Sequence, residues 1–126
     1  MSRKFNPEGV PASGFYSHGV EVVSPQRLVF VAGQVGMRPD GSVAEGIAEQ
    51  TRVAIDNLNR VLAGAGMDAS NIVKSTIYLT DESLMEGFAA AGGPLLPSPP
   101  PATTLVYVKA LASPALLVEI EAVAAA

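Results

Sequence analysis

The stretch GIAEQTRVAIDNLNRVLAGAGMDASNIVKSTIYLT, residues 46–80, decides the fold because its periodicity changes partway along. In its first half Ile47, Ala54, Ile55, Leu58, Val61, Leu62 and Ala65 recur on three- and four-residue steps, broken only by the polar Thr51. That is one apolar stripe of an amphipathic helix, predicted over 46–65. Glu45 and Glu49 stand near its positive end and Arg60 near its negative end, while Gly64 and Gly66 supply a stop. From Ile72 to Thr80 the period becomes two. Val73, Ser75, Ile77 and Leu79 face one way and Lys74, Thr76 and Tyr78 the other, which predicts a strand.

Outward from this core, Leu28–Ala32 is a continuous apolar run and reads as a strand buried on both faces. Tyr16–Val23 reads as extended, and residues 1–14, with Pro7, Gly9, Pro11 and Gly14, as an irregular lead-in. On the other side a second helix is predicted over 83–91, with Ser83 and Glu86 spaced as a capping box. Five prolines between Pro94 and Pro101 make a rigid loop, and strands follow at 103–109 and 117–123. The order is that of an α+β domain spanning 1–126, a mixed sheet with two helices on one face. Val29, Val31, Val106, Val108, Val118 and Ile120 are assigned to the second face, which another copy of the chain would cover.

Composition narrows the function. Charged residues make up 16% of 126 residues and mean hydropathy is +0.32, so disorder is excluded and buried self-association is expected. Eight basic residues against twelve acidic ones, scattered without a run, offer no stripe for nucleic-acid phosphates. There is no Cys, hence no disulfide, thiolate site or Cys nucleophile. The start MSRKFNPEG has no signal-peptide core and no stretch reaches membrane-span length, so a cytoplasmic chain without membrane partners is expected.

Few residues could carry chemistry. His18 is the single histidine, so one chain cannot build a multi-histidine metal site. Asp81-Glu82 suits a helix start electrostatically. Glu119 and Glu121 share one strand face, opposite Val118, Ile120 and Ala122. Two carboxylates on an otherwise apolar strand need partners or solvent. Position alone leaves two readings open: a solvated or interface ion-pairing stripe, or a cleft carboxylate that holds water.

Gly14-Phe15-Tyr16-Ser17, Val29 to Gln34, Asn57, Ala65-Gly66, Val73 to Asp81 and Val118-Glu119-Ile120-Glu121-Ala122-Val123-Ala124 recur in the order and spacing of a known family. From about residue 5 onward the chain resembles the RidA/YjgF reactive-intermediate deaminases, also labelled L-PSP endoribonucleases. The resemblance implies a chorismate-mutase-like fold, a homotrimer whose sheets form a central barrel, and three small-molecule clefts between subunits. It implies hydrolysis of an enamine or imine to a carbonyl compound and ammonia, with no metal or cofactor. Catalytic positions fall on Glu119, which would position water, and Gly33; substrate-binding positions fall on Tyr16, Ala32, Thr103 and Leu105.

The carry-over is partial. Ala32 stands where many members have Ser, and Ala89 where an Asn is frequent. In Pro101-Ala102-Thr103-Thr104, Thr103 occupies the position of the arginine that grips a substrate carboxylate. A hydroxyl cannot replace that bidentate, charged contact. The implied activity is therefore a deaminase with altered specificity, and the alternative is a non-catalytic trimeric binding protein of the same family. Lys109 and Arg38 are the candidates to restore the charge.

Overall fold

The computed structural model describes residues 2–126. The period-3.6 stripe folds as helix α1 (Gly46–Gly64), and its apolar side packs on the sheet through Ala54, Ile55, Leu58 and Leu62. Two polar residues share that buried side, Gln50 and Thr51, whereas Val61 is exposed. The helix stops at Gly66, where φ is +71° and the Met67 N–H reaches back to the Leu62 carbonyl (2.9 Å). Arg27, from a distant turn, donates to the Ala65 carbonyl at 2.6 Å and sets a positive charge at that end. Arg60 instead pairs with Asp56, one turn back.

The strands are β1 (Ser2–Phe5), β2 (Gly19–Val22), β3 (Leu28–Val35), β4 (Ile72–Leu79), β5 (Ala102–Tyr107) and β6 (Val118–Ala125). β1 and β2 form a separate antiparallel pair, so the lead-in predicted as irregular begins with a strand. The main sheet runs β3-β6-β4-β5, with β6 antiparallel to both neighbours and β4 parallel to β5. Helix α2 (Met85–Gly92) lies in the crossover between the two parallel strands. Its N-terminus lacks the predicted Ser83–Glu86 box: Asp81 accepts from the Ser83 N–H (2.8 Å) and caps a short 3₁₀ turn ahead of it.

Both helices cover one sheet face, as expected. Ile77, Leu79, Val118, Ile120, Ala122 and Ala124 join Phe88 and the α1 stripe in one core. The valines divide differently from the expectation. Val31, Val118 and Ile120 belong to this core, and Val29 packs against it, so none of the four lies on the second face. The opposite phase would have put Glu119 and Glu121 under the helices, where unpaired carboxylates are too costly. Nor is β3 buried on both sides in the single chain, because Leu28 is 51% and Phe30 75% exposed. Phe30, Val106, Thr76, Tyr78, Glu119 and Glu121 share the uncovered face, as the cross-strand register requires. Among the described residues, no helix is long and apolar enough to cross a membrane.

Candidate functional site

The parallel pair β4–β5 and the crossover that joins them enclose a cleft of about 300 Å³. Its floor is Ser75 and Ile77 from β4 with Thr103 and Leu105 from β5. Met85, Phe88 and Ala89 of α2 form one wall; Leu96 and Pro101 of the Pro-rich loop extend it, and Phe15 and Tyr16 close the far side. The crossover must lie over β4 and β5 because a parallel connection has to return along the sheet face. Phe88 sits deep because it also belongs to the core.

Tyr16 owes its place to its neighbour. The Ser17 N–H donates to the Pro101 carbonyl (3.1 Å) and the Ser17 hydroxyl to the Pro100 carbonyl (2.6 Å), tying the lead-in to the loop. The His18 ring stacks edge-on against Tyr16, 5.1 Å between centroids, and its Nε2–H donates to the Pro11 carbonyl at 2.6 Å. On the floor the Ser75 and Thr103 hydroxyls share a hydrogen bond of 2.9 Å. No residue lining this cleft carries a charge.

Of the six residues expected at the site, Tyr16, Thr103 and Leu105 meet here, and Ala32, Gly33 and Glu119 do not. Glu119 pairs with Val35 on one side and Tyr78 on the other, and its side chain takes the open face. Thr103 is on β5, with β4 lying between it and β6. Two strand spacings are about 10 Å, and the two side chains leave opposite faces. One chain therefore carries two separate groups: an apolar cleft and a carboxylate edge.

The carboxylate edge depends on a glycine. The β3–β6 register shifts between Val31 and Gln34, and at this bulge Gly33 faces Glu119. A Cβ at Gly33 would collide with the Glu119 carboxylate and stand 2.8 Å from its Cγ. Ala32 lies in the same bulge and its carbonyl accepts from the Gln34 side chain. Asn57 on α1 donates to the carbonyls of Val35 (3.2 Å) and Met37 (2.9 Å), which fixes the end of β3 beside Glu119. On the same face the Tyr78 hydroxyl donates to Glu121 (2.6 Å), and this bond pushes the phenol pKa up. Glu121 is thus a hydrogen-bond partner, and Glu119 is the carboxylate with no side-chain bond in the described residues.

Neither Lys109 nor Arg38 lines the cleft. A different cation lies close by. Lys74, on the outward phase of β4, lines a second groove of about 270 Å³ with Tyr16, His18, Thr103 and Thr104. The walls Phe15, Met85 and Phe88 escaped the sequence reading because apolar residues in a loop and a short helix look like ordinary core. The phase of Lys74 was legible from the alternation along β4.

The comparisons with known proteins agree with this architecture. The family model described as endoribonuclease L-PSP matches residues 8–126. Over 72 residues the chain is 42% identical to a 2-iminobutanoate/2-iminopropanoate deaminase of Rattus norvegicus, a match covering 56% of this chain and 50% of that protein. Over 110 residues it is 37% identical to the mitochondrial protein mmf2 of Schizosaccharomyces pombe, covering 83% and 85%. The matches thus span about half the length of the named deaminase and most of the fission-yeast protein. The crystal structure of YyfB from Yersinia pestis, a protein of the conserved Rid family, superposes with a TM-score of 0.86 at 31% identity, covering 99% of this chain and 98% of that one. The chain belongs to the RidA/YjgF family, whose model carries the name endoribonuclease L-PSP.

Proposed function

We propose that the chain is a hydrolytic deaminase of small enamines or imines, working as a homotrimer in which the apolar cleft of one copy is completed by the Gly33–Glu119 edge of the next. The observation that carries this is the carboxylate edge itself: Glu119 is held over a glycine whose missing Cβ leaves room for it, on a sheet face that no helix among the described residues covers. Phe30, 75% exposed on that face, supplies apolar area for a second copy to bury. The deaminase name borne by relatives supports the reaction class.

The chemistry needs little machinery. A water accepted by the Glu119 carboxylate attacks the C=N carbon, forming a C–O bond while the π electrons move to nitrogen. Glu119 takes a proton from the water and passes it to the nitrogen. Glu119 then takes the hydroxyl proton of the resulting carbinolamine and passes it to the nitrogen as the C–N bond breaks, releasing ammonia and leaving the carbonyl compound, so one water is consumed per ammonia formed. An enamine enters after protonation at carbon. The carboxylate acts by holding and moving a proton at the reacting atoms.

A second reading, a trimeric binding protein without turnover, draws on the absence of charge in the cleft and on Thr103 at the family's arginine position. One experiment separates them: ammonia release from oxidase-generated imines, with and without a carboxylate, alongside light scattering. Turnover by wild type and its loss in Glu119→Gln, with oligomer size unchanged, supports the deaminase. Wild-type protein inert toward every imine supports the binder, and a monomer at micromolar concentration removes the shared-site arrangement.

A further inference from the structure

The floor of the apolar cleft carries a pair of hydroxyls whose protons are both engaged. The Thr103 hydroxyl donates to the Pro101 carbonyl (3.2 Å), and the Ser75 and Thr103 oxygens lie 2.9 Å apart. A carbonyl oxygen only accepts and a hydroxyl has a single proton, so the two bonds coexist in one direction. Ser75 donates to Thr103, and Thr103 donates to Pro101. The pair therefore turns lone pairs to the cleft, with no hydroxyl hydrogen left over. It can accept a hydrogen bond from a ligand and has none to give.

The rest of the lining is no better suited to an anion. Ile77, Met85, Phe88 and Leu105 are apolar, and the Tyr16 phenol is neutral. Lys74 precedes Ser75 on β4 and so takes the opposite sheet face, where it donates to the Thr104 hydroxyl (2.9 Å). The Glu119 edge that the proposed assembly brings from the next copy is itself negative. A carboxylate entering this cavity would lose its hydration with no cation to replace it, a cost that a neutral ligand does not meet. At about 300 Å³ the cleft also stands at the small end of ligand sites, which run from roughly 300 to 1,000 Å³.

We infer that the cleft selects uncharged ligands, each a compact apolar body ending in an N–H group that donates to the Ser75–Thr103 hydroxyl pair. This rests on the reading of the cleft as the deaminase's ligand site, and it names the substrate class. The substrates are carboxylate-free apolar imines or enamines, and the products are the corresponding aldehydes or ketones. The hydroxyl pair determines specificity twice over: it rewards a donor and offers an anion only lone pairs. It also distinguishes substrate from product. Hydrolysis replaces the N–H group by a carbonyl oxygen, which cannot donate, so the bond that held the substrate is lost and release is favoured.

The test measures binding apart from turnover. Calorimetry at neutral pH compares 3-phenylpropanamide, 4-phenylbutan-2-one and 3-phenylpropanoate, which share a phenylethyl body and a carbonyl and differ only in the end group. For wild type the amide should bind about a hundredfold or more tighter than the acid, because only the acid brings an unpaired charge into the cleft. The double variant Ser75→Ala/Thr103→Val removes both hydroxyls at nearly constant shape. It should lower the amide-to-ketone affinity ratio about fivefold, the size of one neutral hydrogen bond. Comparing that ratio between two proteins cancels the different hydration of the ligands. Circular dichroism and melting curves show whether the double variant folds, and the comparison of amide with acid needs wild type alone. Acid binding as tightly as amide, a ratio unchanged in the folded double variant, or no binding of any of the three overturns the inference. Ammonia release confined to carboxylate-bearing imines would sink it and keep the deaminase reading. A hydroxyl-dependent preference for the amide in a protein that releases no ammonia would do the reverse.

Discussion

Gln50→Leu tests the architecture where it bears most directly on Glu119. Gln50 is 2% exposed and joins three segments. Its Nε2 donates to the Ala44 carbonyl (3.0 Å) and the Ala115 carbonyl (2.8 Å), and its Oε1 accepts from the Leu117 N–H (2.8 Å). The first bond fixes the loop from β3 to α1; the other two fix the loop that enters β6 two residues before Glu119. The approach is close because Gly36 has no side chain: a Cβ there would stand 2.7 Å from the Gln50 Cα. Leucine keeps the volume and removes all three bonds, leaving an N–H and two carbonyls to be satisfied elsewhere. At about 1 kcal/mol net for each bond the loss is about 3 kcal/mol. That is a large share of the roughly 5–15 kcal/mol typical of a domain, and for a chain of this size corresponds to about 10 °C in Tm. Urea unfolding followed by circular dichroism, at one fixed protein concentration so that association does not move the midpoint, measures it. A loss below about 1 kcal/mol with an unchanged denaturant slope would refute the assignment of Gln50 as the clamp.

Thr51→Val should behave oppositely. The Thr51 hydroxyl is fully buried with no hydrogen-bond partner among the described residues, so an isosteric methyl is expected to leave stability unchanged or raise it by up to about 1 kcal/mol, read in the same urea titration. Gly33→Ala meets the Glu119 side chain, so the carboxylate should swing away while the backbone stays: Tm within a few degrees of wild type and ammonia release down about tenfold or more. Equal turnover would show that the carboxylate's placement is immaterial. Asp68 and Asp81 each accept from a serine two residues on, and these bonds hold their carboxyls below the usual range. Because the folded pKa is the lower one, the stabilisation is complete above the ordinary carboxylate range and is lost as pH falls through the folded value. Urea midpoints should therefore drop on acidification, and less steeply in Asp68→Asn.

Much of this was legible in the sequence, for identifiable reasons. Helix α1 and strands β4 and β6 announce themselves because each buries one face, and burial writes its period into the residues. β1 was missed because Arg3 and Lys4 interrupt any apolar pattern, and its partner β2 lies more than a dozen residues away. The faces of the valines were misassigned because a valine is at home on either side of a strand; only the carboxylates of β6 discriminate between them. The candidate residues were found one by one, yet their partition into two groups was not, since it depends on which strands are neighbours. Strand order β3-β6-β4-β5 is a long-range property that no local pattern encodes. Lys74 stood out only once β5 was seen beside β4.

The parallel pairing of β4 and β5 separates the heritable control of the cleft into two parts. Its floor belongs to strands whose register is fixed by hydrogen bonds, β4 being paired on both sides, so a one-residue change there turns every following side chain to the wrong face. Its roof is the crossover of α2 and the loop at residues 93–101, whose length no register constrains. Insertions, deletions and proline replacements in the roof can deepen, narrow or cap the cavity while the floor stays in place. Within such a scaffold ligand size can drift by loop editing alone, and charge selection, carried by the strands, changes only by point substitution.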